Sequence, residues 1–168
     1  MRMRIRVGYR DWWEPSWSGR LPPSVAADVP VWVLDTNVLV SGILSADGPP
    51  ARLVDAVLGQ RLRLALDDRI EDEYLRVLRR PKFSLDPVRL EALTALLALQ
   101  ERVSAGPRPG KKAPDPDDEK FLEVAGATQE KVLVTGNLRH FPVICRSGVK
   151  VWSPAEAWQK LMDLGDSR

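Results

Sequence analysis

Two periodic patterns alternate along residues 30–168 and predict that strands alternate with helices. Short apolar runs rich in β-branched residues predict buried strands, the alternation of residues at 61–66 predicts a further strand, and apolar residues three and four positions apart predict helices. The predicted strands cover 31–36, 61–66, 131–136 and 149–152. The predicted helices cover 37–44, 49–59, 68–80, 86 to about 102, 115 to about 125, and 153–162. This order of elements predicts an α/β sandwich around a mostly parallel sheet.

The two ends of the chain fall outside this pattern. Residues 1–29 mix Trp, Pro, Ser and Gly without a sustained period, which is typical of irregular structure. We therefore expect an irregular N-terminal extension at 1–29, one folded domain at 30–163 and a short C-terminal tail at 164–168. The three tryptophans of the extension are unusual in a linker. Either they dock on the domain or on a partner, or the extension is not part of the native protein.

The composition is that of a globular protein without a membrane span. The chain has 168 residues, of which 44% are hydrophobic and 29% charged, enough for one domain with a real core. No run approaches about 18 apolar residues, so no transmembrane helix is expected. No apolar segment follows the basic first ten residues, so no secretory signal is expected either. Cys145 is the only cysteine, which excludes an intrachain disulfide and a Cys/His zinc cluster and favours a cytoplasmic location.

The charge of the chain sits in its N-terminal extension. Five Arg against three acidic residues give residues 1–29 a net charge of +2, which equals that of the whole chain, so residues 30–168 are neutral. A neutral body argues against nucleic-acid binding through a broad basic surface. Local patches remain compatible with it. One cluster is either such a patch or a solvated face, and it comprises Arg76, Arg79, Arg80 and Lys82.

Acidic residues occur where an α/β sheet places its site, at the carboxyl ends of its strands. Asp35 follows the apolar run at 31–34, where it is either a site residue or an Asp that begins a turn and caps the next helix. In the predicted helix at 68–80, Glu71 and Glu73 flank the apolar face on opposite sides. Spacing alone therefore leaves both glutamates open as site residues.

A second acidic segment opens the predicted helix at 115–125. Asp115 and Asp117 suit the first turn of a helix, because the helix dipole favours acidic residues there. Asp118 instead projects onto the buried face of that helix, and a carboxylate on a buried face needs a partner. Asn137 follows the next predicted strand, again at a carboxyl end.

Oxygen ligands that converge on one pocket suit Mg²⁺ or Mn²⁺. Without a cation, neighbouring carboxylates repel one another and raise one another's pKa. With one or two divalent ions, such a cluster is suited to phosphodiester hydrolysis, because the ions polarise the phosphate and stabilise the leaving oxygen.

Four segments of the chain, in this order, resemble the PIN-domain nucleases, and within them the toxins of toxin–antitoxin systems. The likeness extends from about residue 31 to residue 158 and rests on LDTNVLVSGIL (34–44), EYLRVLRRPKF (73–83), DPDDEKFLEVA (115–125) and VLVTGNLRHFP (132–142). The resemblance implies a three-layer α/β/α fold and an acidic site for Mg²⁺ or Mn²⁺. It also implies metal-dependent hydrolysis of RNA and an antitoxin protein as partner.

The resemblance further implies roles for individual residues. The family's first acid falls on Asp35, its second on Glu73 rather than Glu71, and its third on Asp118. These three are the expected catalytic and metal-binding residues.

Asp115, Asp117 and Asn137 are further candidate metal ligands. The two aspartates match acids that are common in this branch of the family. Many members carry Asp where this chain has Asn137, and an amide binds a divalent ion only through its neutral carbonyl. This departure weakens a second metal position, for which Asp115 or Asp117 could compensate.

Basic residues near these motifs are candidate contacts to RNA. Arg139 could hold a phosphate, and Arg79, Arg80 and Lys82 form the basic cluster closest to the second acidic motif. His140 either contacts RNA or is a structural hydrogen-bonding residue in a tight turn, and the second interpretation is favoured.

Three functions are consistent with these residues. The first is a metal-dependent endoribonuclease that acts as a toxin held in check by an antitoxin. The second is a catalytically weak PIN-like module that binds RNA or protein, which Asn137 and the neutral body suggest. The third is a phosphotransferase with Asp35 as nucleophile, which is disfavoured because Asn37 stands where such enzymes commonly have a second Asp. Self-association into a homodimer stays open.

Overall fold

The structure is a computed structural model that describes residues 29–166. Five strands form one sheet in the order β3-β2-β1-β4-β5, and all four pairings are parallel. The strands are β1 (Val31–Leu34), β2 (Arg63–Leu66), β3 (Glu101–Arg102), β4 (Val132–Val134) and β5 (Lys150–Trp152). The prediction of an α/β fold around a mostly parallel sheet is confirmed, and the sheet is parallel throughout.

Six helices flank the sheet in an α/β/α arrangement. They are α1 (Thr36–Leu44), α2 (Pro49–Leu58), α3 (Asp68–Leu78), α4 (Pro87–Ala98), α5 (Glu119–Ala127) and α6 (Pro154–Asp166). The chain crosses the sheet in one direction from β1 to β3 and in the other from β3 to β4. Because parallel connections are right-handed, this reversal brings α5 to the face opposite the earlier helices. Consistent with this, α1 packs against α2 and α2 packs against α6, while α5 contacts β1, β2 and β4.

The core lies on both faces of the central strands. A parallel sheet covered by helices on both sides needs strands that are apolar at every position. Strand β4 meets this requirement, since all three of its residues are buried. The rings of Trp32 and Trp152 meet edge to face, with their centroids 5.3 Å apart. The central strands are thus anchored by packing, which fixes the positions of the loops that leave their carboxyl ends.

One prediction about the elements is wrong, because the helix that begins near residue 86 does not continue to 102. Helix α4 ends at Ala98, and the chain turns into β3, which pairs with β2 through a register that places Glu101 beside Ala65. The side chain of Gln100 also accepts a hydrogen bond from the Leu64 N–H at 3.0 Å. Strand β3 consists of two polar residues at the sheet edge, so it carries no apolar run that periodicity could detect.

Three element boundaries also differ from the sequence prediction. The helix expected over 115–125 is a 3₁₀ turn, Pro116–Asp118, followed by α5. Helix α3 ends at Leu78, and Pro81 begins a 3₁₀ turn of its own, Pro81–Phe83. Helix α6 continues to Asp166, so residues 164–166 belong to this helix and not to a C-terminal tail.

The expected N-terminal extension lies, apart from Val29, outside the described residues, and its irregular character stays a prediction. Val29 itself is buried and belongs to the folded domain. None of the helices within residues 29–166 combines the length and the apolar character that crossing a membrane requires.

Candidate functional site

The site lies at the point where the strand order of the sheet reverses. Strands β1 and β4 are neighbours, although the chain continues from β1 to β2 on one side and from β4 to β5 on the other. At such a point the loops leaving the two strands diverge and leave a crevice at their carboxyl ends, where open α/β sheets bind ligands. The residues that follow β1 and β4 here are Asp35 and Thr135.

Asp35 is a buried carboxylate that two neighbouring side chains hold in place. Its Oδ2 accepts hydrogen bonds from the hydroxyl of Thr135 at 2.7 Å and from Nδ2 of Asn37 at 3.1 Å. Its backbone N–H donates to the Val134 carbonyl at 2.8 Å, which extends the pairing of β1 with β4 by one step. Both the backbone and the side chain of Asp35 are therefore fixed by groups at the carboxyl end of the sheet.

The loop after β4 is fastened to the start of α1 through the same residues. Oδ1 of Asn37 accepts a hydrogen bond from the Gly136 N–H at 3.1 Å. The Thr135 hydroxyl, which donates to Asp35, accepts from the Asn137 N–H at 3.0 Å. Asn137 is thus one hydrogen-bonded step away from Asp35, and it is half-buried.

Glu73 enters the site from α3. Its Oε1 accepts a 2.5 Å hydrogen bond from the Thr36 hydroxyl, directly after Asp35 in the chain, and its Oε2 lies 2.6 Å from Nζ of Lys120. Glu71 is directed elsewhere, and its Oε2 pairs with Arg102 at 2.6 Å. Of the two glutamates that spacing leaves open, Glu73 is the one that the structure brings to the carboxyl end of β1.

Asp118 ends the 3₁₀ turn before α5, and its carboxylate contacts His140. Among residues 29–166, its buried Oδ2 has no hydrogen-bonding partner besides Nδ1 of His140, which lies 2.9 Å away. Burial raises the pKa of the Asp118 carboxyl, and nearby Asp115 raises it further, while His140 and Lys120 oppose both effects. A carboxylate oxygen has more than one lone pair, so a buried oxygen with a single partner can still bind a cation.

The three carboxylates are close enough to influence one another electrostatically. Burial is the largest cause that raises the pKa of Asp35, and the charges of Asp118 and Glu73 raise it further. The hydrogen bonds from Thr135 and Asn37 act in the opposite direction and favour the ionised form. The site thus concentrates negative charge in a poorly hydrated place, which favours binding of a cation.

The residues present fit a hard divalent ion, although they are not yet gathered around one position. Their donors are carboxylate oxygens, which Mg²⁺ and Mn²⁺ prefer, and His140 is the one contact given to the buried Oδ2 of Asp118 within residues 29–166. Within residues 29–166, however, no three acidic, His or Cys side chains already stand as a ready-made metal-binding group. Both oxygens of Glu73 are engaged, one by the Thr36 hydroxyl and one by Lys120.

The other candidate residues lie outside this group of contacts. Asp115 and Asp117 are exposed, and Oδ1 of Asp115 caps the 3₁₀ turn by accepting from the Asp117 N–H at 2.9 Å. The candidate RNA contacts are all exposed on the surface of the domain, namely Arg139, Arg79, Arg80 and Lys82.

Sequence reasoning passed over four residues that organise the site: Thr36, Asn37, Thr135 and Lys120. A signal for Thr135 exists, because it is the first polar residue after a fully apolar strand. A signal for Lys120 also exists, since a basic residue in the first turn of a helix opposes the helix dipole. His140 was expected to be structural, and it contacts Asp118 while keeping its side chain half exposed.

A sequence model of the PIN domain family matches residues 31–139, which is more than half of the chain and spans Asp35, Glu73 and Asp118. The chain belongs to the PIN domain family. This match confirms the resemblance at the level of the family, while the toxin branch stays a prediction. Comparison with curated proteins and with solved structures finds no match. PIN domains are nucleases that generally depend on divalent metal ions, so a PIN domain here indicates an activity of the nuclease type.

Proposed function

We propose that this PIN domain is a metal-dependent endoribonuclease that hydrolyses phosphodiester bonds of RNA. The observation that carries the proposal is that three carboxylates from separate elements lie near the reversal of strand order, where the charges of Asp118 and Glu73 raise the pKa of Asp35. Asp35 follows β1, Glu73 comes from α3, and Asp118 precedes α5. A structural role alone does not explain why mutually repelling acids are partly buried together.

Each of these residues has a distinct part in the proposal. Asp35, Glu73 and Asp118 would hold Mg²⁺ or Mn²⁺, and the hydrogen bonds from Thr135 and Asn37 orient the Asp35 carboxylate and favour its ionised form. A divalent ion bound there would polarise the phosphate and lower the pKa of an attacking water. Asp115, Asp117 and Asn137 are proposed as further ligands because each acts on a member of this group or on a neighbour of it. Asp115 raises the pKa of Asp118, the Asp117 carbonyl accepts from Lys120, and the Asn137 N–H donates to the Thr135 hydroxyl.

RNA is the proposed substrate, with contacts to its backbone outside the acidic group. Arg139 follows Asn137 within the same loop, so a phosphate next to the scissile one could reach its guanidinium. The exposed Arg79, Arg80 and Lys82 after α3 would contact phosphates farther along the strand.

A toxin role with an antitoxin partner is the finer part of the proposal. It rests on the four segments that resemble toxins of toxin–antitoxin systems and includes a cytoplasmic location. A small neighbouring reading frame for a DNA-binding, antitoxin-like protein would support it, and a neighbourhood without any such frame would count against it.

Cleavage of a generic single-stranded RNA by the purified chain tests the proposed activity. We expect cleavage with Mn²⁺, none with a chelator, and none from an Asp35→Asn protein prepared in parallel. Equal cleavage by the two proteins would identify a contaminating nuclease and contradict the proposal. RNA binding without cleavage at any divalent concentration would favour the second function, a binding module, which Asn137 and the neutral body suggest.

Asn137→Asp is expected to lower the Mn²⁺ concentration needed for half-maximal cleavage several-fold. Asn137 follows β4 and lies one hydrogen-bonded step from Asp35, and the substitution adds a full negative charge beside the acidic group. The same reasoning predicts that the unmodified chain needs high divalent concentrations and prefers Mn²⁺ to Mg²⁺.

Gln129→Asp is the matched control for this comparison. It adds the same charge at an exposed position before β4, at the opposite end of the strand. The metal dependence of this control should equal that of the unmodified chain. If Asn137→Asp leaves the metal curve unchanged or lowers activity, Asn137 does not border the metal.

A further inference from the structure

A lysine of this chain lies inside the acidic group. Nζ of Lys120 is 2.6 Å from Oε2 of Glu73, and the lysine side chain is only 12% exposed. Since Oε1 of Glu73 accepts the Thr36 hydroxyl, the lysine occupies the one carboxylate oxygen that Thr36 leaves available.

Helix position and burial both disfavour a basic side chain at Lys120. It is the second residue of α5, where the positive end of the helix dipole disfavours a basic side chain. Its burial also removes the ammonium group from water, which costs free energy unless the charge is paired. A lysine is therefore not expected here for the sake of the helix, and its pairing with the acidic group is what stabilises it.

Lys120 has other partners besides Glu73. Nζ also donates a hydrogen bond to the backbone carbonyl of Asp117, and it lies 4.9 Å from the centroid of the Phe121 ring. Both groups belong to the segment that carries Lys120 itself. If Glu73 moves to another cation, the ammonium group retains a carbonyl and an aromatic face as partners.

We infer that Lys120 is an internal counter-cation that competes with divalent metal for Glu73. The inference rests on the proposed function, because it takes Glu73 as a metal ligand. In the metal-free protein the ammonium group neutralises Glu73. When a divalent ion binds, Glu73 exchanges the ammonium group for the ion, and Lys120 keeps its contacts with the Asp117 carbonyl and Phe121.

This exchange weakens divalent binding and stabilises the protein before a metal arrives. The positive charge of Lys120 repels a second cation within the same pocket, and the contact with Glu73 has to be broken first. Conversely, without Lys120 the metal-free site would hold Glu73, Asp35 and Asp118 with less neutralising charge. Lys120 therefore lowers the affinity for divalent metal and raises the stability of the metal-free protein.

Metal binding and thermal unfolding of the full chain without RNA test the inference. We expect Lys120→Met and Lys120→Gln to tighten the Kd for Mn²⁺, measured by calorimetry, by about tenfold. In chelator, we also expect both variants to unfold at a lower temperature than the wild type. Added Mn²⁺ should raise the unfolding temperature of both variants by more than it raises that of the wild type. Lys120→Arg keeps the charge and should stay close to the wild type in both measurements.

Lys160→Met is the matched control, since it removes an exposed lysine from α6 and should change neither measurement. An unchanged or weaker Kd in both neutral variants would overturn the inference, because a merely structural ion pair would lower the unfolding temperature alone. Absence of Mn²⁺ binding in every variant would overturn it as well. If the neutral variants bind Mn²⁺ more tightly but the wild type cleaves no RNA, the proposed function is contradicted. The role of Lys120 as a counter-cation is then still supported.

Discussion

The Asp35→Asn protein is expected to lose RNA cleavage and to unfold at a higher temperature than the wild type when divalent ions are absent. We expect activity to fall by more than about 100-fold, since even residues that only support a metal ligand typically cost 10–100-fold. The expected rise in the unfolding temperature is about 2–4 °C, which corresponds to about 1 kcal/mol for a domain of this size.

The gain in stability follows from the surroundings of Asp35. The carboxylate is only 6% exposed, and both its burial and the charges of Asp118 and Glu73 oppose ionisation. An Asn side chain can keep its oxygen on the Thr135 hydroxyl and on Asn37 Nδ2, where Oδ2 of Asp35 now accepts. Its amide group can then donate toward the neighbouring acids, so repulsion is replaced by attraction.

The pH dependence of this difference has a definite sign. The pKa of Asp35 in the folded protein lies above its ordinary value of 3.8, chiefly because of burial. Ionised Asp35 therefore destabilises the wild type at pH values above the raised pKa, and this penalty disappears as the pH falls through it toward 3.8. Thermal unfolding in chelator should show the full advantage of Asp35→Asn near neutral pH and almost none near pH 3.8.

Added Mn²⁺ provides the complementary measurement. The wild type should gain stability because a ligand that binds only the folded state stabilises it, and Asp35→Asn should gain little. If Asp35→Asn is less stable than the wild type in chelator, the Asp35 carboxylate stabilises the fold through its hydrogen bonds. Its burial beside Asp118 and Glu73 then does not destabilise the metal-free protein.

The sequence predicts the fold well where buried elements require a regular pattern of apolar residues. The runs around Trp32 and Leu133 are apolar because helices cover both faces of those strands, and the segment around Leu64 alternates; each predicts a strand that the structure contains. Strand β3 was missed because its residues, Glu101 and Arg102, lie at the sheet edge and pair mainly through their backbone. Local periodicity carries no information about an edge that is formed by a distant segment.

The sequence indicates candidate site residues but not their contacts. Asp35, Glu73 and Asp118 are the candidates that four ordered segments indicate, but their separations along the chain do not reveal what each one touches. That Glu73 meets Lys120, and that Thr135 holds Asp35, depends on how α3, α5 and β4 are placed relative to one another. These placements arise from packing between distant elements, which a single sequence does not display.

Packing between distant elements also determines the second prediction, which concerns the stability of the domain after the substitution Gly42→Ala. We expect this substitution to destabilise the domain by about 2 kcal/mol, or by roughly 4–8 °C in unfolding temperature. Gly42 lies in α1, where α2 crosses it closely. A Cβ at this position would lie 2.5 Å from Cγ2 of Val54 and closer still to the carbonyl oxygen of Pro50.

The carbonyl makes this clash difficult to relieve. Real Cβ atoms essentially never approach another atom so closely, so α2 has to shift as a whole, because the backbone of Pro50 cannot rotate away as a side chain would. Helix propensity acts in the opposite direction, since Ala is favoured over Gly within a helix by about 1 kcal/mol. The steric cost has to exceed this gain, and the distances indicate that it does.

Gly126→Ala separates the two effects. Gly126 also lies near the end of a helix, in α5, but a Cβ there would meet only ordinary neighbours, with Cδ of Arg108 at 3.6 Å as the nearest. This control gains helix propensity without a clash, so it should keep or slightly raise the unfolding temperature.

Thermal unfolding of the two variants side by side therefore measures the closeness of α1 to α2. Equal stability of Gly42→Ala and Gly126→Ala would mean that the two helices are farther apart than the structure places them. Since α1 begins directly after Asp35 and carries Thr36 and Asn37, a destabilised Gly42→Ala protein should also lose RNA cleavage on warming earlier than the control does.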